Sequence, residues 1–226
     1  MEKLLLLIVE AAVELAPRET WSHPAVKSYA AKRGKKPGEV LLDKSYHYAA
    51  MKGLPKSHKR GRPDIAHFTL LEALGSPLNR HGLLQVYLHT QDGHIIYINP
   101  ETRLPRVYER FKGLLEKLYR EPAVEADGKT LLKLESKSLR QLLEELKPDV
   151  IILFSEKGER LGLKALAETL KTYRRPVAMV GGFPHGDFEE DTRKLADLEV
   201  SLYPEPLEAW TIVSRILCAA EWSVID

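Results

Sequence analysis

The chain has 226 residues, 44% of them hydrophobic, and a net charge of +2, enough for one large α/β domain or one core with a substantial insertion. Its one cysteine, Cys218, excludes an intramolecular disulfide and fits a reducing compartment. No run of about 18 apolar residues occurs, which excludes a membrane-spanning helix, so a cytoplasmic protein is expected. The charge is unevenly divided. Residues 1–120 hold 20 Lys and Arg against 12 Asp and Glu, a net +8, whereas residues 121–226 hold 14 against 20, a net −6. Such asymmetry suggests that one half meets a polyanion while the other does something else.

In chain order, Leu4-Leu5-Leu6-Leu7-Ile8-Val9 could open a signal peptide, but Glu10 and Glu14 interrupt it and no small-residue cleavage pattern follows. It is predicted as a buried strand. Residues 32–38 are polar and turn-rich and predict a loop; 41–52 predict a helix, and Lys56 to Arg62 a basic turn. Pro63 suits the first position of a helix carrying Ile65, Phe68, Leu70, Leu71 and Leu74. Residues 84–90 and 95–98 predict a hairpin across Gln91-Asp92-Gly93, because Asp-Gly is a tight-turn signal. Residues 104–119 predict an amphipathic helix with Val107, Phe111, Leu114, Leu115 and Leu118 on its apolar face.

From residue 130 the pattern alternates: a short strand at 131–132, a helix at 138–146, an apolar strand at 150–154 and a helix at 162–171. Strands at 177–180 and 199–202 and a last helix at 207–222 follow. This rhythm predicts a parallel sheet covered by helices, with residues 41–120 as an elaboration attached to it.

Three strands of the second half end in loops able to hold a ligand, since ligands of open parallel sheets bind beyond the carboxyl ends of the strands. The loops are Ser155-Glu156-Lys157-Gly158, Gly181-Gly182-Phe183-Pro184-His185-Gly186-Asp187-Phe188 and Tyr203-Pro204-Glu205-Pro206. The glycines either let the backbone approach a ligand or simply make tight turns. Neither dinucleotide-binding nor P-loop glycine spacing is present.

Two basic features lie in the first half. Lys52, Lys56, Lys59, Arg60 and Arg62, with His58 among them, run without an acid and read as a solvated turn. Arg103, Arg106 and Arg110 stand at i, i+3 and i+7. They would share one side of a helix or of its approach, and with Glu109 off that side they look like a phosphate-binding stripe.

Other chemistries fail by inventory. The eight histidines show no metal-ligand spacing, so no metal is expected, and no G-x-S-x-G elbow is present. His47 and His67 read as core or hydrogen-bonding residues, and Cys218 as a buried structural thiol. Asp64, in the first turn behind Pro63, favours the helix dipole whatever else it does.

At this point the residues become recognisable. Lys59-Arg60-Gly61-Arg62-Pro63-Asp64-Ile65-Ala66-His67-Phe68, followed by Ser76-Pro77-Leu78-Asn79, resembles the signature of the nucleolar essential protein family. These are SPOUT-class pseudouridine N1-methyltransferases of ribosome biogenesis. Leu84-Gln85-Val86-Tyr87, Asn99-Pro100-Glu101-Thr102-Arg103-Leu104-Pro105-Arg106 and the glycine loop, of archaeal type, match as well. The match covers essentially the whole chain, with residues 18–40 loose and residues 203–206 more proline-rich than expected.

The resemblance implies a trefoil-knotted parallel sheet in one SPOUT-like domain over 1–226, with 41–120 binding RNA and 130–226 knotted and holding the cofactor. It implies S-adenosyl-L-methionine bound at Phe154, Gly181, Gly186, Val200, Ser201, Leu202, Tyr203, Pro204 and Glu205. Its RNA-contacting arginines map onto Arg62, Arg103, Arg106 and Arg110. Asp64 becomes a candidate base, or a residue that only orients Arg62. The implied activity is methylation of N1 of a pseudouridine in small-subunit (16S/18S-type) ribosomal RNA by a homodimer. Two rivals stand beside it: a non-catalytic rRNA-binding assembly factor that retains a cofactor pocket, and a nucleotide-binding regulator using the glycine loop.

Overall fold

A strand with a continuous apolar run can exist only where both sheet faces are covered, and the first strand, apolar from Leu4 to Val9, is such a case. In the computed structural model, which describes residues 1–224, β1 (Leu4–Ala11) is buried along its whole length. Leu4, Leu6 and Ile8 join one core cluster, and Leu5, Leu7 and Val9 join a second, as the two-residue strand period requires.

The chain then forms α1 (Pro24–Lys32), α2 (Lys44–Met51), α3 (Pro63–Gly75) and α4 (Pro77–Arg80), and a hairpin of β2 (Leu84–Thr90) and β3 (His94–Ile98). Next come α5 (Tyr108–Arg120), a second hairpin of β4 (Ala123–Ala126) and β5 (Lys129–Ser136), and α6 (Leu139–Leu146). The last third is β6 (Val150–Arg160), α7 (Leu163–Lys171), β7 (Pro176–Gly181), α8 (Glu190–Arg193), β8 (Leu198–Ser201) and α9 (Ala209–Val224). Caps account for several helix starts. Asp43 accepts from the Ser45 N–H at α2, and Ser138 forms a capping box with Gln141 at α6.

All strands form one eight-stranded sheet in the order β4-β5-β3-β2-β1-β7-β6-β8. Five neighbouring strands, β2, β1, β7, β6 and β8, run parallel, so the expected parallel sheet is present. The other three are antiparallel and extend it at one edge. The β2–β3 hairpin, which the sequence placed in an attached elaboration, is therefore part of the central sheet. The short strand expected at 131–132 is one arm of a hairpin, turned at Asp127 and Gly128, both with positive φ. Helices α3, α5, α7 and α9 contribute to the first core cluster and α6 to the second, so both faces of the parallel part are closed.

Candidate functional site

Because β1, β7, β6 and β8 are parallel, their carboxyl ends meet at one edge of the sheet. β6 slips in register against β8 between Phe154 and Glu159, which makes residues 155–158 a bulge within the strand. Gly158 is required there, because a Cβ would lie 2.4 Å from the Val200 backbone nitrogen. Ser155 and Glu156, together with the loops after β7 and β8, border a cleft of about 450 Å³, within the usual range for small-molecule sites. Phe154, Gly181, Gly186, Val200, Ser201, Leu202, Tyr203 and Glu205 line it. Pro204 does not, and is exposed.

The glycines of the second loop have nearer reasons than a ligand. A Cβ on Gly182 would meet Ala11 at 2.8 Å, and one on Gly181 would meet the Phe183 ring at 2.9 Å. Gly186 has φ +98°, and a Cβ on it would meet His58 at 3.0 Å. The loop is thus packed tightly against β1 and the 56–59 turn.

The lining combines apolar walls, including Phe154, Val180, Leu202 and Ile212, with four carboxylates, Glu156, Asp187, Glu205 and Glu208, and contains no lysine or arginine. Asp187 is paired with Lys157 and with Arg193 at 2.5 Å, and these cations, with burial opposing, hold its carboxyl below the usual range. Glu156, Glu205 and Glu208 are exposed and join no ion pair among the described residues. Such a cleft suits a ligand with an apolar plane and positive charge. Among the described residues no cluster of His, Cys, Asp and Glu could hold a metal.

Ile65, in the first turn of α3, also lines the cleft, and Asp64 and Arg62 precede it in the chain. Arg62 donates to both oxygens of Asp64, from Nε at 2.8 Å and from Nη2 at 2.7 Å. That hydrogen bonding, followed by the charges of Asp64 and Glu208, raises the guanidinium pKa against the opposing effect of burial.

Of the two placements expected for Arg103, Arg106 and Arg110, one side of a helix or its approach, the structure has the approach. α5 begins at Tyr108, so the first two lie in the irregular segment before it and only Arg110 is in its first turn. All three are exposed and join no ion pair among the described residues. The acid among them is turned away: Glu109 pairs with Arg33 at 2.7 Å and with Lys112 at 2.8 Å. The segment is fixed from beneath. His67 Nε2 donates to the Pro105 carbonyl at 2.7 Å, and its ring stacks on Phe111. Lys112, fully buried, donates to Asp43 at 2.9 Å and to Tyr29 at 2.8 Å. Burial lowers its pKa, but these bonds and that to Glu109 outweigh burial and leave it above the ordinary value.

The basic run at 52–62 is not the solvated turn expected. Lys59 is 2% exposed and ion-paired with Glu10. Arg60 donates to Glu14 at 2.7 and 2.5 Å. His47 and His67 are buried hydrogen-bonding residues, as read, whereas Cys218 is only half-buried. Sequence reasoning missed Ile65, Glu208 and the Lys59–Glu10 pair. Glu10 carried a signal, since an acid closing a fully apolar strand needs a buried partner.

A family profile described as EMG1/NEP1 methyltransferase matches residues 6–221. A Thermococcus kodakarensis protein named ribosomal RNA small subunit methyltransferase Nep1 is 48% identical over 214 residues, covering 95% of this chain and 96% of that one. Its Pyrococcus furiosus namesake is 45% identical, covering 99% of both. Among solved structures, Archaeoglobus fulgidus Nep1 bound to S-adenosylhomocysteine superposes with a TM-score of 0.89 at 40% identity, covering all of both chains.

Proposed function

The chain belongs to the EMG1/NEP1 methyltransferase family, and from that premise we propose that it methylates N1 of one pseudouridine in small-subunit ribosomal RNA. Its relatives carry the name of small-subunit rRNA methyltransferases, and the related solved structure holds S-adenosylhomocysteine. S-adenosyl-L-methionine is accordingly the methyl donor and small-subunit rRNA the substrate. The observation that carries the finer reading is the adjacency of two surfaces. Ile65 lines the strand-end cleft one residue beyond Asp64, which holds the half-buried Arg62.

The cleft fits the donor on its own chemistry. Its apolar walls suit an adenine ring, backbone groups of three loops are available to ribose and methionine atoms, and the acidic lining suits a sulfonium and an ammonium. When bound, S-adenosylmethionine supplies a methyl group on a positively charged sulfur, the electrophile of an in-line displacement. The chain must hold the target nitrogen in line with that methyl, keep water out and allow the N1 proton to leave. Phe154, Gly181, Gly186 and the Val200–Glu205 stretch hold the donor; Arg62, Arg103, Arg106 and Arg110 hold phosphates flanking a base drawn from its stack. Asp64 orients Arg62. Pseudouridine is C-linked and exposes an N1–H that uridine lacks, so specificity follows from the presence of a reactive nitrogen as well as from contacts.

On the same footing we assign a homodimer, a cytoplasmic location and a SPOUT-type knot in residues 130–226, with residues 41–120 serving RNA. Phe68 of α3 is about half exposed and meets Trp210 of α9 with ring centroids 5.3 Å apart. This apolar face supports self-association. Among the described residues no helix is long and apolar enough to cross a membrane. Labelled-methyl transfer to small-subunit rRNA, mapped by mass spectrometry, tests the reading: one N1-methylated pseudouridine is expected. RNA binding without transfer would favour the assembly-factor alternative.

A further inference from the structure

We infer that Lys59 is a positioning residue that couples occupancy of the donor cleft to the grip on RNA. This rests on the functional reading above. The turn at 56–59 and the loop at 181–189 are 120 or more residues apart in sequence, yet one clamps the other. The buried Lys59 ammonium is ion-paired with Glu10 and donates to the Asp187 carbonyl at 2.7 Å and to Glu189 at 3.2 Å. It also lies 4.2 Å from the Phe183 ring centre. Glu10 completes the clamp by accepting the Glu189 N–H at 2.9 Å with its other oxygen. Two outer contacts reinforce it: Lys56 pairs with Glu189 at 2.8 Å, and the His58 ring occupies the space a side chain at Gly186 would need.

Two residues of the clamp, one near the end of β1 and one opening the 56–59 turn, are held in unusual backbone shapes. Glu10 and Lys56 have φ of 51° and 52°, a region that non-glycine residues enter only when their surroundings fix them. A buried ion pair is weak evidence for stability, because apolar residues of the same size do as well. What it fixes here is a relative position. One end of the strut holds the donor loop. The other runs without interruption into Arg60, locked onto Glu14, and into Arg62, held by Asp64 next to the cleft-lining Ile65. A ligand that settles the Gly181–Phe188 loop therefore also settles Arg62, and by reciprocity RNA settles the donor loop.

The test measures binding, using the full chain, S-adenosylhomocysteine and transcribed small-subunit rRNA. Wild-type RNA affinity should rise roughly 5-fold or more at saturating S-adenosylhomocysteine, the low end of ordinary coupling. The neutral double variant Glu10→Gln/Lys59→Met removes both buried charges together. It should retain binding of each ligand alone while the ratio falls to about 1. Lys56→Ala removes only the outer contact with Glu189, tests the strut even if the double variant fails to fold, and should give an intermediate ratio. Wild-type binding of both ligands with no coupling would overturn the inference and leave the function standing, as would an undiminished ratio in the folded double variant or, failing that, in Lys56→Ala. Failure of the wild type to bind either ligand would overturn the functional reading itself.

Discussion

Asp64 accepts Arg62 in a two-point hydrogen bond, with its carboxylate facing Nε and Nη2 at 2.8 and 2.7 Å. An aspartate held this way has its oxygens directed at the guanidinium, and its role follows from what Arg62 does. Arg62→Ala should reduce methyl transfer about 10-fold or more, the loss of a charge-assisted contact worth roughly 1.5–3 kcal/mol, while donor binding by calorimetry stays unchanged. Adding Asp64→Ala to Arg62→Ala should then cost little more. If Asp64 were instead the base, the second substitution would remove a further factor of about 10²–10⁴.

The arginine face should be separable from the rest of the positive charge. Arg103→Ala, Arg106→Ala and Arg110→Ala should each weaken RNA binding and lower the slope of log K against log salt by about one per lost phosphate contact. Lys32 and Lys36, exposed in the outlying α1 region, serve as controls, and their alanine variants should leave the slope nearly unchanged. Equal effects in the two sets would show that the three arginines form only a solvated face.

Donor binding should need no metal and should depend on loop shape. Calorimetry with chelator present is expected to give saturable binding that Gly186→Val abolishes, since valine resists φ +98° and its Cβ would press on His58. Gly181→Val should act similarly by displacing Phe183. The unpaired carboxylates Glu156, Glu205 and Glu208 add a sharper expectation. Salt should weaken cationic S-adenosylmethionine more than S-adenosylhomocysteine, which lacks the sulfonium charge. Identical salt dependence would mean that the acidic lining does not sense the donor.

How much of this was legible depended on whether a signal was local. Leu4 to Val9 announced a strand buried on both faces, and Asp92-Gly93 announced a hairpin. The same Asp-Gly pair at 127–128 was passed over, because the exposed arms of β4 and β5 offer little alternation. The strand-end loops were readable because parallel topology gathers carboxyl ends at one edge. Ile65 and Glu208 were not, since only the packing of α3 and α9 brings them to that edge. Lys59 was misread for a related reason. A basic run looks solvated until the fold places Glu10 and Glu14, more than 40 residues upstream, against it. Arg103 and Arg106 kept their exposure even though the helix expected from residue 104 starts later, at Tyr108.

Stability should fall in mild acid because of His47. Its Nδ1 accepts the Asp43 N–H at 3.0 Å, and burial pushes its pKa down from 6.5 to about 4. The unfolded chain takes up the proton first as pH drops. This contribution is therefore complete above pH 6.5 and is lost between there and about pH 4, on the order of 3 kcal/mol in all. Glu14, whose pKa burial raises against the pull of Arg60, works in the opposite direction, so the readout is a difference. His47→Asn keeps an acceptor near the Asp43 N–H without titrating. Urea unfolding between pH 7.5 and 4.5 should show a flatter profile for the variant, and parallel profiles would exclude His47 as the cause.

Substrate choice separates the enzyme from a protein that merely binds rRNA. Two short RNAs of identical sequence, one with pseudouridine at the target and one with uridine, present the same phosphates to Arg62, Arg103, Arg106 and Arg110. Their affinities should therefore agree within a few-fold, because phosphate contacts position an RNA without reading the base. Only the pseudouridine strand offers an N1–H, and the corresponding nitrogen of uridine is already bonded to ribose. Labelled methyl should accordingly enter the first strand alone, and mass spectrometry should locate it on the base. Transfer to the uridine strand at a comparable rate would reject N1 as the acceptor and point to a group that both nucleosides share. Transfer to neither, with both strands bound and S-adenosylmethionine held in the cleft, would leave an rRNA-binding protein whose catalytic geometry is incomplete on short RNA. The same pair of strands on intact small-subunit rRNA would then decide between the enzyme and the assembly factor.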